Sequence, residues 1–336
     1  MRIAIDAMGG DRAPAAPVEG ALRALDAFVD VEIVLVGVEA AIQAELDRLG
    51  ATPEQRARLP IETADHVAAM GEDPVKAVRG NKGNSARVCA ELLRDGSVRG
   101  VVNMGSTGAA VAAAQLWVGR LPGVRRPGIA VPFPRPGGAT IVVDAGANPE
   151  NRAEDLFQYA IMARLYAAST MNIAEPRIGI LSIGEEEHKG NKLVHETWAL
   201  FRERGVKDFV GNVEPREFFQ DKAEVVVADG FTGNVALKAA EGMAEYLLGG
   251  LKEAVKRGQC PPEVLGGLAE RVDYAEYGGA PLLGVRGPYL IGHGRSDGRA
   301  FFNAVRAVRA YEEHHVGERT VEELAAVAPA ATSGEK

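Results

Sequence analysis

The sequence predicts an α/β fold whose mainly parallel sheet is covered by helices on both faces, three layers in all. Apolar, Val/Ile-rich runs alternate with amphipathic helical stretches along most of the 336 residues, the pattern of a chain that crosses over between parallel strands. The runs are apolar except at their ends, as strands buried on both faces are. Four of them end in glycine turns, and carboxyl ends of strands are where ligands bind in such sheets.

The elements follow in order. Residues 2–5 form a strand and 15–28 a helix; 32–36 and 39–49 repeat the unit. The strand 100–103 leads to a helix at 107–117, 140–143 to 153–168, and 177–181 to 191–204. The run 224–228 leads through Asp229-Gly230-Phe231-Thr232-Gly233 to a long helix at 234–256. Pro127, Pro132, Pro134 and Pro136 make 127–136 an extended crossing, a hinge if the chain has two lobes. Residues 1–325 are expected to form one catalytic domain, with 234–271 a protruding helical segment. The tail 326–336, rich in Ala, Pro, Ser and Gly, is expected to be disordered.

Composition narrows the function. A hydrophobic share of 46% and a charged share of 25% suit a soluble globular chain, and a net charge of −8 argues against a nucleic-acid partner. Cys89 and Cys260 are too few for a disulfide framework or a zinc site. The first residues start a strand and lack a signal-peptide shape, so a cytoplasmic location is expected. No apolar run is long enough to cross a bilayer.

The glycine turns carry the chemistry. They lie at 6–11, 105–108, 144–148 and 229–233, and none is a dinucleotide, Walker or nucleophile-elbow motif. A strand–turn–helix passage leaves free N–H groups that suit an anion. Ser106, Thr107 and Gly108 either cap the next helix or hold a phosphate, and the same donors serve both. Asn148 and Asn234 are turn residues that tolerate left-handed geometry, or site amides. Asp6 and Asp229 cap helices or orient a donor. Lys189, beside Gly190 and Asn191, is a surface lysine or a cation for a bound oxyanion. His293, between two glycines, is accessible and suited to proton transfer near neutrality. Lys76, Arg79 and Lys82 form a basic cluster, either a solvated helix face or a dock for an acidic partner. On the long helix, Leu247, Leu248 and Leu251 lie near Lys252, Lys256 and Arg257, which suits a core or dimer helix, or a membrane-touching tip with a basic fringe.

These motifs, with Asp73-Pro74-Val75-Lys76-Ala77-Val78-Arg79 and Tyr277-Gly278-Gly279-Ala280-Pro281-Leu282-Leu283-Gly284, come in order from residue 3 to about 310. Together they resemble the PlsX phosphate acyltransferases. The resemblance implies a Rossmann-like three-layer αβα sandwich related to phosphotransacetylases and isopropylmalate-dehydrogenase-like enzymes. It implies transfer of a long-chain acyl group from acyl carrier protein (ACP) to inorganic phosphate, giving acyl phosphate for a downstream glycerol-3-phosphate acyltransferase in phospholipid synthesis. It also implies a homodimer, peripheral contact with the inner face of the cell membrane, and no cofactor; no metal is expected. Ser106 stands where many relatives carry Asn, a change that keeps hydrogen-bonding capacity.

On this reading Ser106, Thr107, Gly108, Asn148 and Asn191 hold phosphate, and Lys189 neutralises it. Asn234 stabilises the oxyanion and His293 protonates the leaving thiolate, with Asp229 beside them. Lys76, Arg79 and Lys82 dock ACP, and Leu247, Leu248 and Leu251 meet the acyl chain or membrane. The rivals are a phosphotransacetylase-like enzyme using acyl-CoA, a metal-dependent decarboxylating dehydrogenase, and a non-catalytic acyl-lipid-binding protein.

Overall fold

The computed structural model describes residues 1–67, 72–271 and 274–327. Residues 328–336, most of the expected disordered tail, lie outside the described residues. The chain opens with β1 (Arg2–Asp6), α1 (Ala15–Ala27), β2 (Glu32–Gly37), α2 (Glu39–Arg48), α3 (Pro53–Ala57) and β3 (Ile61–Thr63). It continues through α4 (Pro74–Gly80), α5 (Ser85–Arg94), β4 (Gly100–Asn103) and α6 (Thr107–Ala113), which runs on as a π-helical turn at Ala114–Val118. Then come β5 (Gly128–Arg135), β6 (Gly138–Val143), α7 (Ala153–Thr170), β7 (Ile178–Leu181), α8 (Lys192–Glu203) and β8 (Phe209–Val213). The last elements are β9 (Val225–Val227), α9 (Gly230–Lys256), α10 (Pro262–Arg271), β10 (Ala280–Leu283), β11 (Tyr289–Ile291), α11 (Gly298–Glu313) and α12 (Val316–Ala326).

All the strands join one sheet in the order β3-β2-β1-β4-β11-β10-β5-β6-β9-β7-β8. Pairing is parallel from β3 to β11 and again from β6 to β8. Between these blocks, β10 and β5 pair antiparallel with each other and with their outer neighbours. The two parallel blocks therefore run in opposite directions, and the loops beyond β4, β11, β6 and β9 converge over the β10–β5 junction. Alternation along β1 shows why both faces are covered. Ile3 and Ile5 pack with Leu25, Phe301 and Val308, whereas Ala4 turns to the opposite core with Ala90 and Val101.

The expected strands and helices up to β9 form close to where they were read, and the sheet is mostly parallel. Two departures have physical causes. Residues 127–136 are extended, but as β5, a strand inside the sheet and not a free link. Ile129 donates to Asp144 and accepts from Ala145, so odd-numbered β5 residues face β6. Pro132 and Pro134 turn their missing N–H to the other side, where pairing with β10 stops at Ile129.

The second departure is the start of the long helix. It begins at Gly230, not at 234, and Asp229 caps it by accepting from the Thr232 N–H at 2.9 Å and its hydroxyl at 2.7 Å. The glycines that look like a turn are helical. They are small because the helix starts hard against the turn after β6: a Cβ on Gly230 would stand 2.3 Å from the Asn148 carbonyl oxygen, and one on Gly233 2.0 Å from that of Asp144. Across its 27 residues α9 would extend about 40 Å. Only Gly230 and Gly233 are buried, so most of the helix stands clear of the body.

Candidate active site

A cleft of about 400 Å³ lies over the antiparallel junction. Thr107 from the start of α6, Asn234 from the second turn of α9 and His293 from the loop after β11 all line it. Val131, Phe133, Phe219, Leu237, Ala240 and Ala244 give the same cleft apolar walls. Lys238 and Glu241 reach the cleft one helical turn apart and pair at 2.8 Å. The sequence thus places three of its candidate residues together.

Each of the three is held by its loop. Ser106 caps α6 by accepting from the Ala109 N–H at 3.4 Å, which leaves the N–H groups of Thr107 and Gly108 without intrahelical partners. Asn234 packs its side chain against Gly146, 3.3 Å from where a Cβ would stand. His293 is half-buried, and its Nδ1 accepts the Arg295 N–H at 3.3 Å. With Nδ1 accepting, the ring proton of the neutral imidazole is on Nε2.

The turn at 144–148 has a different role from the anion cradle its glycine suggests. The buried Asp144 carboxylate accepts the N–H groups of Gly146, Ala147 and Asn148 at 2.8–3.0 Å, so those donors are already used. Burial holds the Asp144 carboxyl above its usual range, and the hydrogen bonds from Ala147, Asn148 and Ile129 offset part of that rise. Asn148 is buried away from the cleft lining, donating to Pro127, Asp144 and Tyr159. Among the described residues neither Asn148 nor Asn234 is left-handed.

Lys189 and Asn191 lie beyond β7, outside the cleft lining. Asn191 caps α8 by accepting from the Val194 N–H at 3.0 Å. Lys76, Arg79 and Lys82 are exposed and, among the described residues, pair with no carboxylate. The Pro74 ring would meet a Cβ on Gly108 at 2.7 Å, which puts α4 beside the start of α6, where Thr107 lines the cleft. On α9, Leu247 is exposed, Leu248 and Leu251 half-buried.

The carboxylates of Glu185, Glu214 and Glu217 come within 4.8 Å of one another. Lys222 bridges Glu185 and Glu217, and Arg216 bridges Glu185 and Glu214, so the chain supplies its own cations there. Burial pushes the Cys89 thiol up, the opposite of an activated nucleophile.

The sequence reading missed the cleft's apolar wall. Phe133 and its proline neighbours belong to a stretch read as a crossing, and Phe219 sits in a 3-10 turn, Pro215–Phe219. The alternation of Val131 and Phe133 with prolines was the available signal. What the arrangement offers chemically is donors for an anion, an amide and an imidazole N–H, next to a sleeve for a hydrocarbon chain.

Comparison with known proteins identifies the family. Residues 1–319 match the family of the fatty acid synthesis protein. A phosphate acyltransferase of Thermus thermophilus is 47% identical over 335 residues, covering 97% of this chain and 99% of the relative. One from Desulfitobacterium hafniense is 43% identical over 334 residues, covering 96% and 98%. A solved phosphotransacetylase from Streptococcus pyogenes superposes with a TM-score of 0.57 at 17% identity, covering 93% of this chain and 94% of that one. The EutD phosphotransacetylase from Staphylococcus aureus gives 0.56 at 15%, covering 92% and 94%. Both solved structures share the fold.

Proposed function

The chain belongs to the fatty acid synthesis protein family of phosphate acyltransferases and is an acyltransferase, and from that premise we propose that its cleft transfers a long-chain acyl group from an acyl-ACP thioester to inorganic phosphate. The observation that carries the proposal is one cavity whose lining joins polar groups, Thr107, Asn234 and His293, to apolar walls. A phosphate oxygen attacks the thioester carbon, the carbon–sulfur bond breaks, and acyl phosphate and the free carrier thiol leave. The phosphate dianion needs no strong base, so catalysis is positioning and charge stabilisation.

The N–H groups of Thr107 and Gly108 and the Thr107 hydroxyl hold the phosphate, each charge-assisted bond contributing about 1.5–3 kcal/mol. The Asn234 amide stabilises the carbonyl oxygen as it becomes an oxyanion. His293 Nε2–H hydrogen-bonds the departing sulfur, and the proton that the phosphate loses on forming acyl phosphate completes the thiol. Lys238, already in the cleft, supplies positive charge when phosphate draws it from Glu241. Lys189, with Asn191, approaches from the carboxyl end of β7 and neutralises phosphate. Ser106 and Asp229 serve by capping the helices that present these groups, and Asn148 by fixing the turn beneath Asn234.

Exposed apolar side chains on α9, Met243, Tyr246 and Leu247 among them, fit contact with a second copy of the chain and with the inner face of the cell membrane. Among the described residues no helix is long and apolar enough to cross a membrane. Lys76, Arg79 and Lys82 suit an acidic carrier. Acyl phosphate made there passes to a glycerol-3-phosphate acyltransferase.

The test is phosphate-dependent release of free thiol from palmitoyl-ACP, with acyl phosphate trapped by hydroxylamine. Release with palmitoyl-ACP and much less with acetyl-CoA supports the proposal. Release independent of phosphate, or preference for acetyl-CoA, refutes it. Lys189→Ala with unchanged phosphate saturation removes that residue's part alone.

A further inference from the structure

Asp6 ends β1 with only 2% of its surface exposed, outside the cleft lining. Its carboxylate joins three chain segments. Oδ1 accepts the Met8 N–H at 3.0 Å; Oδ2 accepts the Ser85 hydroxyl at 3.0 Å and the Asn103 side-chain N–H at 2.8 Å. The side-chain oxygen of Asn103 accepts the Gly105 N–H at 3.0 Å, two residues before Thr107. The main-chain oxygen of Asn103 accepts the Gly292 N–H at 2.9 Å, one residue before His293. Below them Asp11 donates to the Gly294 carbonyl at 2.7 Å, and Gly10 holds φ +97 where a Cβ would meet the Gly294 and Met104 carbonyls.

A neutral residue would serve packing better here. Ser85 and Cys89 from α5, Asn103 from β4 and Tyr289 from β11 face this carboxylate, and none carries positive charge. A buried carboxylate without a counter-charge costs stability, so its retention calls for another cause. That cause lies in hydrogen-bond direction. An ionised carboxylate only accepts, so Asn103 must turn its NH2 to Asp6 and its oxygen to Gly105.

We infer that Asp6 is a positioning residue for the reaction: it fixes the Asn103 amide, which aims the 105–107 turn and its Thr107 donors at the acceptor phosphate. The inference rests on the reading of Thr107 as phosphate-binding. If position 6 gains a donor, donor meets donor, the Asn103 amide reverses, and its NH2 then opposes the Gly105 N–H. Burial raises the Asp6 carboxyl to about 6, so a proton works the same reversal within reach of an assay.

The test compares Asp6→Asn, Asn103→Ala and the double variant D6N/N103D. In the double variant the new carboxylate at position 103 accepts from both sides and restores the relay. D6N and N103A are expected to lose about 10²-fold in kcat/KM for phosphate, the scale of a misplacement of about 1 Å, with the thioester KM changing far less. The double variant is expected to regain at least half of that loss on a logarithmic scale. Activity plotted against phosphate dianion should fall near pH 6 in the wild type, and that limb should vanish in D6N. Should D6N not fold, N103A carries the test through the same relay. Wild-type phosphate saturation in N103A, or a double variant no better than a folded D6N, overturns the inference. Thr107→Pro, which removes the residue's N–H and hydroxyl together at a helix start that tolerates proline, separates the two readings: a sensitive Thr107 with an insensitive Asn103 sinks only the role of Asp6, whereas an insensitive Thr107 sinks the phosphate site itself.

Discussion

Gly233→Ala adds one methyl group at the tightest joint of the site. The added carbon would stand 2.0 Å from the carbonyl oxygen of Asp144. Carbon–oxygen contacts sit near about 3.3 Å, so α9 and the 144–148 turn must separate by about 1.3 Å. Neither side yields cheaply: the oxygen is main chain, and the turn is tied by the N–H groups that Asp144 collects. Overpacking of this kind costs about 1–3 kcal/mol, offset by about 1 kcal/mol from the better helix propensity of alanine. Because the clash is with backbone, the upper end applies, and we expect a net loss of about 2 kcal/mol. Asn234 is the next residue, so the displacement reaches the cleft and should lower turnover about 10²-fold. Gly242→Ala is the control, since a Cβ there meets nothing within 4 Å. Thermal or urea unfolding of both variants, with thiol release measured alongside, is the assay. A Gly233→Ala protein as stable and active as the wild type would refute the reasoning.

Other expectations follow from the same structure. Asp6 binds its proton more tightly folded than unfolded, so stability should fall as pH rises from 3.8 through about 6, by up to about 3 kcal/mol relative to Asp6→Asn; parallel urea midpoints for the two proteins across that range would count against it. Ala244→Phe should narrow the cleft at its apolar wall and shift preference toward shorter acyl chains at unchanged phosphate KM, read by thiol release from a series of acyl-ACPs. Leu247→Glu with Leu248→Glu should abolish flotation with anionic liposomes while thermal unfolding shows a folded protein, and equal flotation would remove the membrane role.

Much of the sheet was legible because its strands are saturated with Val and Ile: β2, β6 and β9 can hardly be anything else. β10 and β11 were not legible. They are four and three residues long, and Gly, Pro and Arg surround them, so no periodicity accumulates. In the site, Thr107, Asn234 and His293 were found because glycine marks their loops. The identical signal misled at Gly230 and Gly233, where glycine answers a close main-chain approach that only tertiary structure creates. It misled again at 144–148, since no local pattern shows that a carboxylate four residues earlier has taken the donors. The apolar wall from Val131, Phe133 and Phe219 depends on where β5 sits in the sheet, and pairing order is not written in local composition.

β11 pairs with β4, and α11 packs against α1 and the underside of β1, so the amino-terminal block of the sheet is completed by residues beyond 288. Synthesis must pass residue 313 before that block has its last strand and its covering helix. A nascent chain of 126 residues would carry Leu25, Val102 and their neighbours with one side unshielded. We therefore expect a fragment that carries the amino-terminal block but stops short of residue 288 not to acquire protease resistance.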